Sequence, residues 1–185
     1  MLQIYQPEED SFLLQRTLKE KLPKLLKENS DLKFLEIGPG SGIQLKTAYD
    51  LGVKKQNIFS CDINSDSVRH CKKLGFNCVK SNLFEKIKKK YDVIIFNPPY
   101  LPENELEPKD SKLATTGGKR GSEIINEFLL QAKSHLAENG TIFLLTSSLT
   151  GKLNWKNYKK KKVANKKIFF EELYIWELKK YKLKN

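Results

Sequence analysis

Arginine is nearly missing from this strongly basic chain. Lysine and arginine number 34 against 22 acidic residues in 185, a formal charge of +12, yet only Arg16, Arg69 and Arg120 are arginine. Side chains that read bases or phosphates lean on the planar arginine fork. The positive charge therefore reads first as a solvated lysine surface, with an acidic partner such as RNA as the alternative. Most of it lies at one end: residues 151–185 carry twelve lysines against three glutamates, +9 of the total.

Long apolar runs are missing too. Val93–Phe96 and Ile142–Leu145 are four residues each, against the roughly 20 that a membrane span needs. The first residues lack the basic-then-apolar order of a secretory signal. Cysteine is scarce, and Cys61, Cys71 and Cys78 are odd in number and never spaced C-x-x-C. That argues against a disulfide frame and a zinc site. The expectation is a reduced, cytoplasmic protein with no metal centre and no membrane contact. His70 and His135 have no acid or cysteine at ligand spacing, and Ser147 and Ser148 lack a nucleophile elbow.

What is present is an alternation of short apolar strands with amphipathic helices, over a length that suits one domain, 1–185. That pattern predicts an α/β fold with a mostly parallel sheet covered on both faces. Pro7-Glu8-Glu9-Asp10 opens a helix, and strands are expected at Phe34–Ile37, Ile58–Asp62, Phe76–Lys80, Tyr91–Phe96 and Thr141–Thr146. Ser41 and Ser122 are the expected caps of the helices that follow them, and Asn139-Gly140 the expected end of the second of these. Residues 101–121 read as a long loop of the kind that is functional or disordered. Lys162–Phe169 and Glu172–Leu178 are joined too tightly for a helical crossover, so they pair as an antiparallel hairpin.

Two motifs carry chemistry. Glu36-Ile37-Gly38-Pro39-Gly40-Ser41-Gly42 is a glycine-rich turn between strand and helix, where backbone can approach a ligand closely. Asp62, ending the next strand, is placed to accept both hydroxyls of a ribose. Glu36 beside the turn would repel a pyrophosphate but suits a cationic ligand, which favours S-adenosylmethionine over a dinucleotide. The second motif, Asn97-Pro98-Pro99-Tyr100, follows a buried strand. Two prolines make the backbone rigid, and the Asn97 oxygen and Pro98 carbonyl can hold both hydrogens of a planar NH2 group. Tyr100 offers that group a flat face.

Together these residues resemble the class I methyltransferases, which act from a Rossmann-like seven-stranded sheet on amine or amide nitrogen. Tyr5-x-Pro7-x-Glu9-Asp10-Ser11-Phe12-Leu13-Leu14, Thr116-Gly117-Gly118-Lys119-Arg120-Gly121-Ser122-Glu123 and Phe169-Phe170-Glu171-Glu172-Leu173-Tyr174 resemble, more narrowly, the archaeal and eukaryotic branch of the HemK-related glutamine methyltransferases. The resemblance implies methylation of the Gly-Gly-Gln glutamine of the class I translation release factor. It implies that Ser11, Glu36, Gly38 and Gly40 line the methionine end of the cofactor and that Asp62 takes the ribose. The position that usually carries Asp-Leu for the adenine is here Asn82-Leu83; the Asn oxygen still accepts, without the charge. Asn97, Pro98, Pro99 and Tyr100 would hold the substrate amide, Asn97 standing also beside the cofactor, and S-adenosylhomocysteine would be the product. The resemblance also implies a small zinc-binding activator subunit at the edge of the third strand, and the basic C-terminus allows an RNA or ribosome contact. The alternative is an adenine-N6 methyltransferase acting on DNA or RNA, which would use the same Asn-Pro-Pro-Tyr.

Overall fold

The computed structural model describes residues 4–104 and 115–181. Its elements are α1 (Glu9–Glu28), β1 (Phe34–Ile37), α2 (Ile43–Asp50), β2 (Ile58–Asp62), α3 (Ser65–Lys73), β3 (Asn77–Lys80), β4 (Tyr91–Phe96), α4 (Glu123–His135), β5 (Leu136–Ser147), β6 (Tyr158–Ile168) and β7 (Glu171–Lys180). The strands form one seven-stranded sheet in the order β3-β2-β1-β4-β5-β7-β6. Every pairing is parallel except the two that β7 makes, with β5 and β6. The expected sheet and its closing hairpin are both present.

The reason is burial. All four residues of β1 are buried, as are five of the six in β4, which is how a parallel strand covered on both faces reads in sequence. One face is packed by α1, α2 and α3 through residues such as Leu14, Leu18, Leu45 and Cys71, and the other by α4 through Ile125, Phe128, Leu129 and Ala132. Strand order reverses between β1 and β4, where Ile37 lies opposite Phe96. On its other side Ile37 pairs with Cys61. Gly38 and Asn97, which follow β1 and β4, and Asp62, which ends β2, therefore emerge next to one another at the crevice where such sheets bind ligands.

Local expectations differ in four places. Ser41 does not cap α2: Gly42 does, in the left-handed region at φ 77°, without a side-chain bond, a conformation glycine adopts at little cost. Ser122 makes no capping bond either; the Glu123 carboxylate turns back to accept the amides of Arg120 and Ser122 at 3.1 and 3.0 Å. The helix α4 ends at His135, so Asn139-Gly140 lies inside an irregular stretch of β5, where the register with β4 shifts. Phe76 precedes β3 rather than opening it.

Of the expected loop 101–121, residues 105–114 lie outside the described residues. The rest is ordered: Leu101 bridges Thr116, and Gly117 donates to the Leu101 carbonyl at 2.9 Å. This is what the Gly-Gly-x-x-Gly block is for. A Cβ on Gly117 would lie 2.6 Å from the Pro99 carbonyl, and one on Gly121 would collide with the Tyr100 carbonyl. The glycines let a second backbone pack directly against the Asn97-Pro98-Pro99-Tyr100 segment. Because Gly121 also sits at φ 71°, Gly121→Ala is expected to destabilise the fold by about 1–3 kcal/mol, read as a lower urea midpoint. An unchanged midpoint would show that this backbone contact yields freely.

Candidate active site

Where β1, β2 and β4 end, the sheet opens into a cavity of about 210 Å³. Ser11, Glu36, Gly38, Gly40, Asp62, Asn82, Leu83, Asn97, Pro98 and Pro99 all line it. Tyr100 does not; its ring is packed, partly buried, between the two cores. The lining also includes Tyr5, Asp10 and Gln44. It contains four acids, Asp10, Glu36, Asp62 and Glu127, but no lysine, arginine or histidine, in a chain of formal charge +12. This cavity selects against anions.

Its unpaired atoms point the same way. Among the described residues, Glu36 Oε2, Gln44 Oε1 and Asn97 Oδ1 are buried side-chain atoms without a partner. All three are acceptors, and all three residues line the cavity. Buried acceptors are costly to leave unpaired, so the fitting ligand is one that brings donors: an ammonium, hydroxyls, an amide NH2. Burial pushes the Glu36 carboxyl well above the ordinary carboxylate range, with Cys78 and Asp62 adding to it. The Asp62 carboxyl is raised by burial and held back by the Asn64 and Gly40 amides, whose N–H groups donate to it at 2.8 and 3.4 Å. S-adenosylmethionine suits these residues: Glu36 would face its cationic end, Asp62 its ribose hydroxyls. Asn82 stands exposed at the rim and donates to Glu85 at 3.3 Å, while Leu83 lies at φ 43° with its side chain buried in the core.

The residue that sequence reasoning gave no role is Asp10. Asn97 Nδ2 donates to Asp10 Oδ2 at 3.1 Å, which fixes the amide so that its oxygen is the group left over. Asp10 is itself held by the Tyr5 hydroxyl at 3.0 and 3.1 Å and by the backbone and hydroxyl of Ser11. The Ser11 carbonyl in turn accepts from Gln44 at 2.7 Å. The N-terminal block is thus a brace for Asn97, 87 residues away in sequence.

A family model described as Eco57I restriction-modification methylase matches residues 26–179. A Methanocaldococcus jannaschii protein bearing the name protein N5-glutamine methyltransferase is 37% identical, over 95% of this chain and 93% of its own. The chain belongs to the protein-glutamine methyltransferases. A further relative in this family, named eRF1 methyltransferase catalytic subunit mtq2 in Schizosaccharomyces pombe, is 30% identical over 77% of this chain and 71% of its own. The E. cuniculi Mtq2 structure, solved as an Mtq2–Trm112 complex, has the same fold: TM-score 0.70 at 24% identity, covering 97% of this chain and 99% of that one.

In a glutamine methyltransferase with this cavity, pH acts through Glu36. Its folded pKa is raised above the ordinary 4.5, so its contribution to stability is full below 4.5 and is lost as pH rises through the folded value. A bound cation has the opposite preference and drives the proton off. Cofactor binding is expected to release a proton, and to tighten with rising pH until Glu36 is ionised without ligand. Calorimetry in buffers of different ionisation heat measures this. Glu36→Gln should raise the melting temperature of the ligand-free protein near neutral pH, weaken cofactor binding and remove the proton release. Proton release that persists in Glu36→Gln would assign it to another group.

Proposed function

We propose that this protein transfers the methyl group of S-adenosylmethionine to the side-chain nitrogen of a glutamine in the class I translation release factor, in the cytoplasm. The observation that carries the reading is the unpaired, fixed Asn97 oxygen beside an acidic cavity in a family of protein-glutamine methyltransferases. Relatives named for release factor or eRF1 methylation support the choice of substrate.

An amide nitrogen is a poor nucleophile because its lone pair is delocalised into the carbonyl. When bound, the sulfonium cofactor supplies an activated methyl group. What this chain contributes is placement and charge. Asn97 Oδ1 and the Pro98 carbonyl accept the two N–H groups of the substrate amide, fix its plane, and stabilise the positive charge that develops on nitrogen. The two prolines keep these acceptors rigid, so placement need not be won at the moment of reaction, a contribution of up to roughly 7–11 kcal/mol in favourable cases. Asp10 positions Asn97 rather than touching the substrate. No residue need remove a proton before transfer; the nitrogen sheds it to water afterwards.

Two further elements belong to the proposal. The first is a small zinc-binding activator subunit that adds to the sheet at β3. This strand is an edge; within it Val79 is 42% exposed, and Ile63, just beyond the end of β2, is 50% exposed. Open, weakly charged edges invite strand addition, and the structural neighbour solved as a two-protein complex supports it. Phe76 and Cys78 are buried in this strand's own core, so a charge belongs at Val79 if the interface alone is to be tested. The second is an RNA or ribosome contact along β6, where Lys160 lies over Trp155 and Trp176 and Lys162 over Tyr174, at 4.5 to 5.1 Å. Cationic, aromatic-backed faces suit nucleic-acid backbones.

Purified chain, labelled S-adenosylmethionine and release factor are expected to give label on protein that vanishes when the target glutamine is replaced. Label on DNA or RNA alone would establish the adenine reading instead. Asn97→Ala should lower kcat about 100- to 1000-fold with little change in cofactor affinity, and Asp10→Ala should follow it in direction. If Asn97→Ala lost binding and turnover equally, Asn97 would serve the cofactor or the fold. For the subunit, Val79→Lys is expected to abolish co-purification with a co-expressed zinc-binding partner while leaving the melting temperature of the isolated chain unchanged. Undiminished co-purification would place the partner elsewhere.

A further inference from the structure

The turn between β6 and β7 holds two phenylalanines in the solvent. Phe169 is 90% exposed and Phe170 97% exposed, the most exposed of the described large apolar side chains. Phe169 also lies at φ 42°, a region that a bulky aromatic residue rarely occupies. Neither ring contributes to the core, so nothing within the fold repays the strain or the exposed area. An outlier of that kind is where a function is looked for.

The position of the tip is defined. It rises at the carboxyl end of the sheet, the end where Asn97 and Asp62 emerge. Ser148 donates to the Glu172 carbonyl at 2.8 Å, the Glu172 amide donates back to the Ser148 hydroxyl at 2.9 Å, and the Ser147 hydroxyl bonds the Glu171 carboxylate. Thr150, in the same short segment, donates to the Tyr100 carbonyl at 3.3 Å. On the other side Lys166 pairs with Glu9, the residue before the Asp10 brace. Leu149, 47% exposed, lies between these anchors. The tip is therefore an apolar projection at the end of the sheet where the cavity opens, tied through its base to the Tyr100 backbone and to Glu9.

A cavity of about 210 Å³ admits a glutamine side chain but not the protein that carries it. The body of a protein substrate must rest on the rim, and a single polar side chain offers little binding of its own. We infer that the Phe169–Phe170 tip, with Leu149, docks the apolar surface of the substrate protein that flanks the target glutamine. The inference rests on the activity proposed above. Aromatic anchors are the side chains that dominate such contacts, and a tip at the same end of the sheet as the cavity stands where the body of a protein substrate can meet it.

The test compares the full chain with F169A/F170A and with Phe169→Gly, against intact release factor and a short peptide bearing the same glutamine. Binding to the intact factor is titrated separately from methylation. The double variant is expected to bind the intact factor at least about tenfold more weakly and to lose kcat/KM on it in the same proportion. Peptide methylation and cofactor affinity should be unchanged. Phe169→Gly should show part of this loss together with a higher melting temperature, because glycine accepts the backbone conformation. Equal affinity of wild type and double variant for the intact factor would overturn the inference. So would a matching loss on the peptide, a shift in oligomeric state, or a loss confined to RNA binding. Wild-type chain that binds the factor through the tip but leaves its glutamine unlabelled would refute the proposed activity while leaving the docking surface in place.

Discussion

The site depends on one constraint, the parallel ladder that sets β1 between β2 and β4. Ile37 is in register with Cys61 on one side and Phe96 on the other, so three chain segments leave the sheet at the same level and diverge. The glycine-rich turn, Asp62 and the Asn97-Pro98-Pro99-Tyr100 segment are separate in sequence but adjacent there because three short strands are buried and locked in register. Slipping the register of a buried strand turns its apolar set the wrong way. The packing of Phe34, Leu35, Ile94 and Ile95 thus protects the relative positions of Glu36, Asp62 and Asn97.

The cavity runs against the character of the rest of the molecule. A surface rich in lysine surrounds a site lined by Asp10, Glu36, Asp62 and Glu127. Burying unpaired acceptors costs stability, and the fold carries that cost at one place only among the described residues. Such concentration is what an active site looks like energetically: acceptors held at fixed positions before the ligand arrives, so that the ligand's donors complete a network rather than create one.

Much of this was legible in the sequence. The strand and helix alternation, the position of Asp62 and the paired prolines each follow from local chemistry, and the first five strands fall within a few residues of where they were expected. What was not legible is what depends on distant partners. Nothing local tells Ser41 to leave the cap to Gly42, or Glu123 to do what Ser122 was expected to do. The helix α4 ends early because Leu136 is drawn into the sheet opposite Tyr91. Asp10 was visible as part of a block but its purpose was not, since its partner lies 87 residues on. The exposure of Phe169 and Phe170 was likewise hidden, because the sequence shows them as the end of a strand and part of a block, not which way the turn between β6 and β7 points them.

The two edges of the sheet are not equivalent, and that asymmetry limits how the protein can assemble. Along β6, Lys159, Lys161 and Lys167 stand exposed, and a lysine-lined edge repels another strand. Along β3 only Lys80 ends an otherwise neutral strand. Unbounded stacking of sheets needs two receptive edges on every copy, head to tail. With one edge receptive and one closed, strand addition ends after a single event: the sheet can acquire one neighbour and then stops growing, so an open edge can be kept for a partner without the hazard of fibres.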